Sequence, residues 1–150
     1  LEKNRVTEGA RIAKALFEQL NAIIKLCGQA EKLAALQPDN IREKLNQQVA
    51  ELLDAVPNLP EERLAQEAAV LMTKADVREE LDRLQAHIDA ARALMEEGGV
   101  IGRRLDFLCQ EFNREANTLC SKATDVELSK IGLELKAVIE QYREQVQNIE

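Results

Sequence analysis

The 150-residue chain has no tryptophan, one tyrosine, three phenylalanines, six glycines and three prolines. Sandwiches and barrels of β-strands need aromatic and β-branched runs with frequent turns, so this scarcity argues against both. No apolar run approaches the roughly 18 residues of a membrane span, and no signal peptide opens the chain. A cytoplasmic protein with no membrane partner is the expectation. The three cysteines, Cys27, Cys109 and Cys120, form no CxxC pair, and an odd count suits a reducing compartment. Cys109 and Cys120 would lie about 16 Å apart on one helix, far beyond the roughly 7 Å limit for a disulfide. All three are expected to be thiols acting as small hydrophobes. Positive charge is also short: the net charge of −7 opposes a simple nucleic-acid binder. No P-loop, GxGxxG, HExxH, GxSxG or EF-hand loop is present, which disfavours an ATPase, a dinucleotide enzyme or a zinc protease.

Ala, Leu, Glu, Lys and Arg together supply more than half of the residues, the composition of long helices. A hydrophobic fraction of 45% leaves enough apolar side chain for a core. The expected class is all-α: a long antiparallel helical hairpin followed by a compact helical bundle, divided as residues 1–56 and 57–150. Six helices are expected. The first runs from about Val6 to Leu36, with Ile12, Leu16, Leu20, Ile23 and Cys27 inward. Gln37-Pro38-Asp39 is read as a turn into a second, with Ile41, Leu45, Val49, Leu52 and Val56 on one face. Pro57-Asn58-Leu59-Pro60 breaks the chain, and Pro60 with Glu61 and Glu62 suits the first turn of a third. Asp76 is expected to cap a fourth, with Glu79 completing a capping box. Its apolar positions Val77, Leu81, Leu84, Ile88, Ala91 and Met95 form a heptad row. Gly98-Gly99 ends it. A fifth covers Ile101 to Lys122, and Asp125 caps the sixth.

Two polar stripes stand out. Residues 101–122 carry Arg103, Arg104, Arg114 and Lys122 against Asp106, Glu111 and Glu115, a net positive window in an acidic chain. Within it Arg103, Asp106, Gln110, Asn113, Arg114, Asn117 and Ser121 recur at 3/4 spacing. Asn and Ser are mediocre helix formers, so such a stripe suits either an interhelical polar seam or a donor-rich floor for phosphate and ribose oxygens. The second stripe, Asp76, Glu80, Arg83 and His87, runs one position before each core residue of the fourth helix. His87 is the only histidine, open to structural, metal-binding or proton-shuttling use. Glu80, Glu111 and Glu115 supply carboxylates, which with amide oxygens favour Mg²⁺ or Mn²⁺ over Zn²⁺. An antiparallel pairing of the fourth and fifth helices about residue 99 would set His87 across from Glu111. It would also bring Glu80 near Glu115 and Asn117.

From Asp76 onward the chain resembles the C-terminal region of the YicC family of bacterial endoribonucleases. The resemblance is carried by Asp76–His87 (DVREELDRLQAH), Gly102–Glu111 (GRRLDFLCQE), Asn113–Thr118 (NREANT), Ser121-Lys122 and Arg143–Glu150 (REQVQNIE). It implies a C-terminal fragment, ending at the natural terminus, of a cytoplasmic stress-response enzyme that cleaves RNA with a divalent metal (Mn or Mg). It also implies a homo-oligomer, a hexameric ring in the full-length protein, and other RNA-decay enzymes as further partners. Phosphodiester cleavage needs a proton acceptor and charge stabilisation at phosphorus. On side-chain chemistry, Glu80, Glu111 and Glu115 are candidates for metal binding and, with His87, for catalysis. Arg83, Arg103, Arg104, Gln110, Asn113, Arg114, Asn117 and Lys122 are candidates for holding RNA. A non-catalytic RNA-binding adaptor and an oligomerisation scaffold are the rival readings.

Overall fold

Apolar residues at 3/4 spacing pull the chain into helices whose stripes must be buried against one another. The computed structural model describes residues 2–55 and 60–149, the side chains of residues 2–5 excepted. Five α-helices are seen among them and no strand: α1 (Glu2–Ala55), α2 (Glu61–Ala75), α3 (Arg78–Glu97), α4 (Gly102–Lys122) and α5 (Val126–Gln147). The all-α class holds. The expected break at Pro57-Asn58-Leu59 lies outside the described residues.

One core unites α1, α3, α4 and α5. Leu16, Leu20, Ile23, Leu26, Cys27 and Ala30 of α1 meet Leu81, Leu84, Ile88 and Ala91 of α3. Leu105, Leu108, Phe112, Ala116 and Leu119 of α4 and Leu128, Ile131, Leu135, Ile139, Tyr142 and Val146 of α5 complete it. Of the expected inward residues, Ile12 and Met95 sit at its edge instead, and Ile41, Leu45, Val49 and Leu52 lie outside it. Tyr142 lies edge-on to Phe112 at 6.3 Å, and its hydroxyl donates to Met95 Sδ at 3.2 Å. Cys27 and Cys109 are buried, Cys120 is half-buried, and all three are free thiols, as expected.

The turn expected at Gln37-Pro38-Asp39 is not one. α1 runs through Pro38 for 54 residues, so residues 6–36 do not project as half of a hairpin but pack into the bundle. Proline has no N–H for the Ala34 carbonyl, a cost of about 3 kcal/mol inside a helix. Bundle contacts on the N-terminal side and α2 on the C-terminal side hold the helix across it. Gln37, at the crossing point, is 4% exposed and donates from Nε2 to Thr124 Oγ1 at 3.4 Å. The hairpin is made instead by the second half of α1 with α2. Leu71 and Met72 near the end of α2 flank grooves shared with Ile41 of α1.

The caps show one further difference. Asp125 caps α5 by accepting from the Glu127 N–H at 3.3 Å. At α3 the N-cap is Val77, so Asp76 stands one place outside and makes no capping box with Glu79. Its Oδ1 accepts from the Arg78 N–H at 3.0 Å, and the Arg78 guanidinium beside it lowers its pKa. Gly98 and Gly99 reverse the chain between α3 and α4 at φ of 72° and 78°, a region that side chains with a Cβ seldom enter.

Candidate functional site

The reversal at Gly98-Gly99 lays α4 antiparallel along α3, and the two polar stripes meet at their seam. His87 of α3 and Glu111 and Glu115 of α4 bring one donor atom each within 4.8 Å of one another. His87 therefore lies across from Glu111, as antiparallel pairing requires. His87 and Glu111 are half-buried and Glu115 is buried. The His87 ring stands edge-on to Phe112 at 6.1 Å, which fixes its plane from the core side. Its Nε2 is buried and has no hydrogen-bond partner among the described residues.

Arg83, one turn before His87, ties the seam together. Its Nε donates to Glu115 Oε1 at 2.9 Å, its Nη1 reaches Glu79 at 3.2 Å, and its Nη2 lies 3.6 Å from Glu80. These carboxylates, Glu115 first, raise the pKa of the guanidinium. Glu80 is 1% exposed, and its Oε1 accepts from Lys122 Nζ at 2.7 Å. Lys122 also reaches the Asp76 carbonyl at 3.4 Å. A buried carboxylate is tolerated only when paired, and Glu80 is paired on the Lys122 side. The Arg83 guanidinium bridges it to Glu115, the neighbour that antiparallel pairing expects for it. Glu80 Oε2 stays buried without a hydrogen-bond partner among the described residues.

The candidate residues fall into three groups. His87, Glu111 and Glu115 converge. Arg83, Glu80 and Lys122 form an ion-pair lattice beside them, so the two cations are engaged by carboxylates rather than open. Gln110, Asn113, Arg114 and Asn117 point to solvent on α4, and Arg103 and Arg104 lie at its start, also exposed. The amide stripe is therefore not a seam within this chain. Gln110 bonds Asp106 Oδ2 at 3.3 Å, and Asp106 lies 3.5 Å from Arg143 of α5. Arg104 lies 3.6 Å from Glu97 on the surface. Glu79, expected only as part of a helix cap, and Phe112, for which no site role was expected, both border the site, through Arg83 and His87 respectively.

The donor set fits a small divalent cation. Donors about 2.1 Å from an ion lie at most about 4.2 Å apart, so a spread within 4.8 Å closes by a few tenths of an ångström. Two carboxylates suit Mg²⁺ or Mn²⁺, and an imidazole shifts the preference toward Mn²⁺ among the two. On the His87 ring of this set, Nε2 is buried without a hydrogen-bond partner among the described residues, leaving it open to a ligand.

A model of a protein family described as "Endoribonuclease YicC-like, C-terminal" matches residues 30–150. A relative from Clostridioides difficile (strain 630), named "Probable endoribonuclease YicC", is 37% identical over 150 residues, covering 100% of this chain and 51% of its own. A second of that name, from Haemophilus influenzae (strain ATCC 51907 / DSM 11121 / KW20 / Rd), is 37% identical over 146 residues, 97% of this chain and 50% of its own. The chain spans about half the length of these curated relatives. On this match the chain belongs to the YicC-like endoribonuclease family, as its C-terminal part.

Proposed function

We propose that this chain carries the cleavage site of an endoribonuclease, with a divalent cation (Mn²⁺ or Mg²⁺) held by His87, Glu111 and Glu115. The observation that supports this best is the convergence of those three donors, with a buried, unpartnered Nε2 on the same His87 ring, in a member of this family. When bound, the cation would supply Lewis acidity toward a phosphate oxygen. The chain's own residues do the rest. Glu111 and Glu115 face the seam and carry the negative charge that holds a cation there. Arg83 fixes Glu115 through its 2.9 Å hydrogen bond, making it a positioning residue. His87, braced edge-on by Phe112, would supply the nitrogen ligand that completes the donor set. Glu80 and Lys122 hold the α3–α4 lattice in register, a structural duty in place of the ligand and RNA-binding roles expected of them.

In the full-length protein, Glu111→Gln and His87→Ala are expected to abolish cleavage of a defined RNA while leaving helicity and oligomeric state unchanged. Mn²⁺ should raise the melting temperature of the unaltered protein, and EDTA or Glu111→Gln should remove that rise. Normal cleavage by both variants would overturn the assignment. RNA binding without cleavage in any divalent metal would favour the adaptor. A homo-oligomeric ring and contact with other RNA-decay enzymes belong to the same reading.

A further inference from the structure

Between α3 and α4, on the Gly98-Gly99 side of the three-donor cluster, lies a groove of different chemistry. One turn from His87 and Glu111 its walls are Ala90, Ala93 and Leu94 of α3 and Phe107 and Leu108 of α4, with Arg103 and Arg104 beyond them. Phe107 is 60% exposed, although the other two phenylalanines include the fully buried Phe112. Ala90 and Ala93 are small and leave the face of the groove open opposite Phe107. The space measures about 550 Å³, within the roughly 300–1,000 Å³ range of small-ligand sites.

We infer that Phe107 is a stacking platform for one base of single-stranded RNA, with Arg103 and Arg104 holding the adjoining phosphates. This inference rests on the RNA-cleaving reading above and extends it to how the strand is threaded. An exposed aromatic face beside guanidinium groups is the pairing that single strands use: bases stack and cations follow the backbone. Arg103 has no ion pair among the described residues, and Arg104 has only the exposed Glu97 at 3.6 Å. Both are therefore free to exchange their present surroundings for phosphate, unlike Arg83 and Lys122. Phe107 lies four residues before Glu111, about 6 Å along the helix axis. A base held there leaves the neighbouring phosphodiester at the His87–Glu111–Glu115 cluster.

The test is anisotropy of a fluorescein-labelled octauridine with the full-length protein in EDTA, where cleavage plays no part. Phe107→Ala should weaken binding about five- to hundredfold, and Phe107→Trp should restore it. Arg103→Gln should lower the slope of log affinity against log salt by about 0.7, one phosphate contact on a single strand. A wild-type protein that binds octauridine in this Phe107-dependent way but cuts no RNA would leave the platform standing and remove the nuclease reading. A protein that cuts RNA while Phe107→Ala binds octauridine normally would overturn the platform alone. Loss of the native oligomer in Phe107→Ala, with binding per folded subunit unchanged, would assign the groove to a second copy and also overturn it.

Discussion

Burial sets the behaviour of three side chains that a pH titration would find. Removal from water pushes the Cys27 and Cys109 thiols up to about 12, with Glu31 and Asp106 adding to the effect. A thiol in the unfolded chain titrates near 8.5. The folded chain therefore holds these protons more tightly, so the stabilisation is complete below about pH 8.5 and is lost as pH rises toward 12. Each thiol contributes a slope of about 1.4 kcal/mol per pH unit in that window. Urea unfolding should accordingly give about 4 kcal/mol less stability at pH 10 than at pH 8, about 2 from each thiol, and Cys27→Ala with Cys109→Ala should flatten the difference. Tyr142, raised by its burial, adds to the loss above pH 10. An unaltered protein equally stable at both values would contradict this. The Glu80–Lys122 pair follows a different rule, because charge is at stake. Lys122→Met strands a buried carboxylate and should cost about 2–3 kcal/mol, less than a fully buried pair because the Lys122 side chain is 32% exposed. Glu80→Met in the same protein should return part of that loss, as chemical denaturation of the four-member cycle would show.

At the scale of elements, the approach of α5 to α4 depends on a single missing side chain. A Cβ on Gly132 of α5 would stand 2.6 Å from Cys120 Sγ and 3.2 Å from Leu119 Cδ2 of α4. Gly132→Ala gains about 1 kcal/mol of helix propensity but must push the helices apart, at about 1–3 kcal/mol. The net expectation is a modest loss of thermal stability. Cys120→Ala in the same chain removes the 2.6 Å contact and should recover it; a double variant no better than Gly132→Ala alone would rule out this cause. Heptad rows made the core legible in advance, since Leu81, Leu84, Ile88, Leu105 and Phe112 can be buried only on one side of a helix. Antiparallel register about Gly99 made the His87–Glu111 meeting legible too. Pro38 misled because a proline's local cost was weighed without the packing on either side of it. The pairing of Glu80 with Lys122 was not legible, because a partner 42 residues away on another helix is not revealed by periodicity within one helix.

At the scale of the whole molecule, burial is unevenly spread. Among the described side chains, no residue of α1 beyond Gln37 is buried, and in α2 only Ala75 is. Leu52, Leu53, Val70 and Leu71 stay 38–47% exposed on this two-helix arm. Two helices can bury only the strip between them, so much of the arm's apolar surface is left to water at roughly 25 cal/mol per Å². A second copy is the simplest cover, and self-association through the arm is the expected outcome. Residues 38–55 and 61–75 hold Arg42, Lys44, Arg63 and Lys74 against seven acids, so two arms repel one another. Association driven by apolar contact against like charge must strengthen with salt, because screening shortens the repulsion to about 8 Å at 0.15 M. Association through ion pairs would weaken instead. Light scattering at micromolar concentration should therefore show a mass above 16.8 kDa that rises from low to physiological salt. Leu52→Lys with Leu53→Lys should return it toward the monomer with helicity intact. A 16.8 kDa species at every salt concentration, or a mass that falls as salt is added, would exclude an apolar arm-to-arm contact.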